Sequence, residues 1–264
     1  GADMVTGLKI QHMPLVKVAG VKAAEVRRDP VLGLFGLLVK NRDGVLSTAA
    51  RREAIAMAID RPRMIADFGI EDWQEAVTLS PESLTSRGEV PRADWTRLNQ
   101  AERWAAARER LADVIAQQEA PRLTLWLPEG AGSDLMFEHI RADLSAVGLV
   151  LARAGSRDDA DLELIDRVAH YDDVLWFLGQ LRCARVPLCS RDADDRISAA
   201  QAAENETARA TLLAEAETML SAEYGFIPLA SPVRVSIVRP GLNGFATNLR
   251  GLHLLQNLGD VPHI

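Results

Sequence analysis

Apolar positions change their spacing along the chain, and each change marks a new element. In LGLFGLLVK (32–40) they run almost without a polar break, the pattern of a strand buried on both faces. NRDG (41–44) supplies the turn after it. From 47 to 60 the spacing becomes helical, with Ala54, Ile55, Ala58 and Ile59 on one stripe and Ser47 or Thr48 placed to cap the first turn. Asp60 stops this helix and caps the next, and Pro62 falls in a first turn, where a missing N–H costs nothing. Residues 71–94 mix prolines, serines and charges, which predicts a long irregular excursion. Residues 94–119 predict one strong helix, with Trp104, Leu111 and Ile115 near a single face.

From Arg122 the order becomes strand, helix, strand. RLTLWLP is a strand, EGAGSD (129–134) a turn with Ser133 as the N-cap, and the helix after it ends at Gly148. LVLARAG and ADLELIDRVA are further strands, and the short links predict a parallel sheet with a right-handed crossover. DDVLWFLGQL predicts a helix, 198–223 a single long amphipathic helix, and 224–238 one or two closing strands before a loop-rich tail. With a short strand at ADMVTG near the start, the expected fold class is α/β.

Composition narrows the function more than the fold. The 264 residues suffice for one large domain or two small ones. A formal net charge of -7 and a pI near 5.3 argue against a nucleic-acid partner, which needs a basic face for phosphates. No apolar run reaches the roughly 18 residues of a membrane-spanning helix. The opening GADMVTG has neither an initiator methionine nor a secretory signal, so an excised piece of a longer protein is expected.

Candidate chemistry is sparse. Cys183 and Cys189 do not fit C-x-x-C; two reduced cysteines are expected, with a short-loop disulfide as the alternative in an oxidising compartment. His12, His139, His170, His253 and His263 include no pair at metal-ligand spacing on one helix, so no metal site is expected. The adjacent acids, such as Asp172–Asp173, are expected to be solvated at helix starts and loops. There is no G-x-S-x-G and no H-E-x-x-H, so no catalytic residue is assigned. EGAGSD invites an anion-cradle reading, as in a Rossmann-like enzyme domain, but lacks the third glycine of a dinucleotide fingerprint and the lysine of a P-loop. A chain of this size without nucleophile, metal cluster or phosphate loop is expected to bind rather than transform. A protein-interaction domain is a further alternative, favoured by a large apolar surface patch.

Four stretches, taken in order, resemble one family. ARREAIAMAIDRPRMIADFG resembles the Arg-x-Ala-x3-Ala-Ile-Asp-Arg helix corner of family 5 extracytoplasmic solute-binding proteins, with Arg52, Ala54, Ala58, Ile59, Asp60 and Arg61 matching. RLTLWLP…FEHIRADLSAVGLVLAR is similar to the family's strand–helix–strand unit, AHYDDVLWFL to its Ala-Asp-Tyr-x-Asp-Pro segment, and ETARATLLAEAETMLSAEYGFIPLASPVR to its late helix and strand. The resemblance implies one lobe of a type II periplasmic-binding-protein-like fold over 1–264, with interlobe hinge segments near 1–10 and 235–264 and a first lobe absent. It implies a periplasmic component of an ABC importer that clamps a small solute or peptide-like ligand and presents it to a membrane permease, with no cofactor. By matching position it places Phe35, Lys40, Arg167, His170, Tyr171 and Asp172 at the ligand. His170 stands where peptide-binding members carry the acid that meets the ligand's amino terminus, Arg167 replaces a frequent tryptophan, and Val174 replaces the proline. The loss of fixed negative charge implies an uncharged or anionic ligand rather than a free peptide amine.

Overall fold

Strand β3 (Gly33–Val39) is central, and its composition explains its position. Phe35, Leu37 and Val39 point into one apolar cluster and Leu34 and Leu38 into a second, as the two-residue period of a strand requires. Helices cover both faces. α2 (Ala49–Ala58), α4 (Gln100–Gln117) and α5 (Ala131–Ala146) pack into the first cluster. α6 (Val174–Gly179), α7 (Arg191–Gln201) and α8 (Glu206–Glu223) build the second. The computed structural model describes residues 2–118, 120–254, 256 and 258–260; Glu119 and His263 lie outside them.

The main sheet has the order β5-β4-β6-β3-β7, with β4 (Arg122–Trp126), β5 (Val150–Arg153), β6 (Leu162–Val168) and β7 (Phe226–Pro228). β4 runs parallel to β5 and β6, as the strand–helix–strand pattern predicts, while β3 is antiparallel to β6 and β7. The sheet is therefore mixed, and the α/β class stands. Gly36 is required here: a Cβ would lie 2.3 Å from the Ile227 carbonyl oxygen on β7. A second sheet has β8 (Arg234–Val238) between β1 (Met4–Leu8) and β2 (Val26–Asp29), all antiparallel.

The helix corner forms as its residues predict. Thr48 accepts the Arg51 N–H at 3.3 Å, Asp60 accepts the Arg63 N–H at 3.1 Å, and Gly69, at φ 56°, ends α3 (Arg61–Phe68). Arg52 and Arg61 of the matched motif are buried struts. Arg52 donates to the Leu46 and Glu223 carbonyls at 2.8 Å, and Arg61 to those of Ala56 and Pro228 at 2.9 Å. Burial pulls the Arg61 guanidinium down to about 10.

Four expectations are corrected. The helix expected over 94–119 is a 3-10 turn, Asp94–Arg97, and then α4, because Asn99 accepts the Glu102 N–H while Glu102 accepts the Asn99 N–H in a capping box. The single helix expected over 198–223 is two, with Asn205 capping α8 through the Ala208 N–H at 2.9 Å. Ser133 is not an N-cap: it is buried in the first turn of α5, and Gly130 holds the cap position at φ 143°. Cys183 and Cys189 are joined by a disulfide across the link between α6 and α7, with Cα atoms 5.0 Å apart, so the reduced pair is overturned.

Candidate functional site

The candidate site lies at the carboxyl end of β6, where open α/β sheets place their ligands. β6 meets β4 only through Leu162 and Glu163, so it runs on from Leu164 to Val168 with no ladder partner on that side among the described residues. Its other edge is bound tightly to the start of β3, where a Cβ on Gly33 would lie 2.0 Å from the Arg167 carbonyl oxygen. The Ala169 N–H donates to the Leu32 carbonyl at 2.7 Å. These contacts fix the chain just before residues 170–172 and deliver their side chains to the rim.

On that rim the predicted residues have unequal freedom. His170 is exposed, its ring 6.2 Å from that of Trp176, and the ring makes no hydrogen bond among the described residues. Tyr171 is 47% exposed. Arg167 donates to the Gln180 side chain at 3.2 Å, a neutral partner that leaves its charge uncompensated. Asp172 is neutralised by Arg250 at 2.7 Å. Asp173 is structural: it caps α6 through the Leu175 N–H and takes both oxygens to Arg209 at 2.7 Å. The rim is thus left with one unneutralised guanidinium and one free imidazole.

Two predicted residues lie elsewhere. Lys40 sits past the far end of β3, its ammonium 3.1 Å from Glu163, about 20 Å along the sheet from the Arg167 end at strand rise. Phe35 is 1% exposed and meets Trp73 edge to face at 5.9 Å, as a core residue does. Arg167, His170, Tyr171 and Asp172 come together; Lys40 and Phe35 do not join them.

Behind the rim lies a buried polar layer that the sequence did not reveal. Asp166 meets Arg234 at 2.8 Å, and burial raises its carboxyl in spite of that partner. Asp29 accepts the Asn248 N–H at 2.9 Å and lies 3.1 Å from the His253 ring, which tethers the 248–253 segment to β2.

A cleft of about 460 Å³ opens on the other side of β3, lined by 28–35, 72–83 and parts of 226–232. The excursion that walls it is held in register: the Trp73 indole donates to the Ser231 carbonyl at 2.8 Å, and the Ala76 N–H to that of Leu229 at 3.1 Å. Ser80 donates twice to the buried Glu217, whose carboxyl burial pushes up. The signal for this docking was present in Trp73 and Leu79, the large apolar residues of an otherwise polar segment.

The anion-cradle alternative fails on geometry. A Cβ on Gly132 would lie 2.0 Å from the Ile10 carbonyl oxygen, and one on Gly130 2.8 Å from that of Gln11. The glycines admit the 10–11 backbone against the start of α5, and carbonyl oxygens repel an anion there. Among the described residues no group of three His, Cys, Asp or Glu side chains is placed to hold a metal, and no helix is long and apolar enough to cross a membrane.

No protein-family model and no curated protein sequence matches the chain. Solved structures do. The Escherichia coli murein tripeptide binding protein MppA superposes with a TM-score of 0.84 at 17% identity, over 99% of this chain and 54% of that one. Haemophilus influenzae OppA in complex with RPPGFSPFR gives 0.81 at 16%, over 98% and 54%. NikA from Brucella suis in complex with Fe(III)-EDTA gives 0.75 at 20%, over 98% and 57%. The chain spans about half the length of each. It therefore has the type II binding-protein-like fold found over about half of these peptide- and chelate-binding proteins, the family of folds that its sequence resembles.

Proposed function

We propose that the chain is the ligand-binding lobe of a periplasmic solute-binding component of an ABC importer. It closes with a second lobe on a small solute or peptide-like ligand and presents it to a membrane permease, without bond chemistry. The observation that carries this reading is the rim at the end of β6: an open strand edge beside Arg167, His170 and Tyr171, whose polar groups are left available. Closure is a population shift, driven by contacts that exist only when both lobes touch the ligand.

Three further facts support it. The likeness extends over about half of proteins whose names specify a tripeptide, a nonapeptide complex and a metal chelate complex. β1 and β8 pair side by side, Met4 opposite Val238, as two strands leading to a second lobe would, which supports reading the segments near 1–10 and 235–264 as interlobe connections. The Cys183–Cys189 disulfide suits an oxidising compartment. With Asp172 neutralised, the charge left on the rim is positive, so the ligand is uncharged or anionic. Thermal-shift measurements on the complete gene product, with free and N-acetylated peptides and small anions, test this. A rise in Tm with acetylated or anionic ligands, lost in His170→Ala/Tyr171→Ala, is expected. A rise with free-amine peptides alone overturns the charge assignment, and turnover of a ligand overturns the binding role.

A further inference from the structure

Asp172 and Asp173 are adjacent on the rim, and the fold treats their carboxylates differently. Asp173 is locked: it caps α6 and takes the Arg209 guanidinium on both oxygens. Asp172 lies 2.7 Å from Arg250, and their side chains are 35% and 28% exposed. An ion pair so open to water contributes little to stability, so the fold does not depend on it. Arg250 is nevertheless held in place from behind. The Asn248 side-chain oxygen accepts the N–H groups of Arg250 and Leu252, at 3.0 and 3.2 Å, in an Asx-type turn. The Asn248 N–H donates to the buried Asp29 of β2 at 2.9 Å, and the His253 ring lies 3.1 Å from the same carboxylate. Phe245 stacks on that ring at 4.4 Å. At Gly251 the backbone takes φ 61° and passes the Arg234 side chain, whose Cγ would lie 3.1 Å from a Cβ. The 245–253 segment is thus a strap with buried anchors that carries a guanidinium to the rim.

We propose that Arg250 is a specificity-determining residue of the rim: by occupying Asp172 it withholds from the ligand the carboxylate there that is not locked into the fold, and so disfavours ligands that lead with a free ammonium group. The proposal rests on the rim being the ligand site. A site discriminates by what it refuses as well as by what it accepts. An ammonium entering the rim meets Arg167, whose charge is uncompensated, and an acid already satisfied by a guanidinium. The strap fixes that guanidinium beforehand, so no ordering is needed when a ligand arrives. Arg250 lies outside the four stretches that resemble the solute-binding family, so this preference is written into the chain's own tail.

Isothermal titration of the complete gene product with Ala-Ala-Ala and N-acetyl-Ala-Ala-Ala tests the assignment, read as the ratio of the two affinities. The wild type is expected to favour the acetylated peptide. Arg250→Gln frees Asp172 and is expected to move the ratio about tenfold toward the free amine, the effect of one charge-assisted hydrogen bond. Arg250→Gln/Asp172→Asn is expected to return the ratio to that of the wild type, and Arg250→Lys, which keeps the charge, to leave it there. Arg196→Gln makes the same change in net charge where Arg196 of α7 pairs with Glu215 of α8 at 2.8 Å, and is expected to move nothing. A ratio unmoved by Arg250→Gln, a shift that persists without the Asp172 carboxylate, or the same shift in Arg196→Gln overturns the proposal. A wild type that favours the free amine, with the shift still present in Arg250→Gln, supports it and overturns the charge assignment of the rim. Binding of neither peptide by any of these proteins overturns both.

Discussion

Arg234 holds its guanidinium 2.8 Å from the Asp166 carboxylate, and that contact fastens the three-stranded sheet to the five-stranded one. Both side chains are nearly buried, at 10% and 12% exposure, so neither charge has water to fall back on. Arg234→Met leaves Asp166 alone in that environment and is expected to cost about 3 kcal/mol at pH 7. The loss should shrink toward pH 4, because the carboxyl, already raised by burial, then protonates. Urea unfolding of both proteins at the two pH values checks it; an equal loss at both would remove the ion pair from the account.

Asp143, on α5, gives the molecule a second pH dependence. Burial raises its carboxyl to about 6, against the Asp60 N–H bond and Arg63, which favour the ionised form. The folded state therefore holds a proton that the unfolded chain releases near its ordinary value. The contribution is fully present below about pH 4 and is lost as pH rises through about 6. Wild-type stability should fall across that window relative to Asp143→Asn, which lacks the titration. Parallel curves for the two, measured by unfolding at half-unit pH steps, would contradict the assignment.

The Cys183–Cys189 bridge closes a loop of six positions, short enough that its entropic contribution is small. Chain-entropy arithmetic gives about 2 kcal/mol. Cys183→Ser/Cys189→Ser, or reduction of the wild type, should lower the unfolding free energy by that amount without loss of helix signal. Mass spectrometry showing two free thiols in protein produced under oxidising conditions would contradict the bridge itself.

What the sequence carried and what it hid follow from the range of each interaction. Thr48, Asp60 and Pro62 act within one helical turn, so the corner was legible from its residues. Asn99 and Asn205 are equally local, but the apolar periods around them continue far enough to suggest uninterrupted helices. The site depends on longer range. Lys40 and Arg167 belong to neighbouring antiparallel strands, and only the register, Leu34 opposite Arg167, places them at opposite ends. The cleft is a meeting of segments more than 150 residues apart, such as Trp73 with Ser231, which no local pattern encodes.

Gly132 offers the sharpest test of why the EGAGSD turn is rich in glycine. The Ile10 carbonyl oxygen occupies the position a side chain would need, at 2.0 Å, and the obstacle is backbone, which cannot swing aside as a side chain can. Gly132→Ala must push the 10–12 segment away from α5 and should cost about 1–3 kcal/mol. Phosphate should not raise the wild-type Tm, since that helix start is already covered by carbonyls. The companion change Gly155→Ala, in the turn after β5, meets nothing within 4 Å and should leave stability within about 0.5 kcal/mol of wild type. A tolerated Gly132→Ala together with stabilisation by phosphate would reopen the turn as an anion site; a costly one with no phosphate effect fixes it as a packing device.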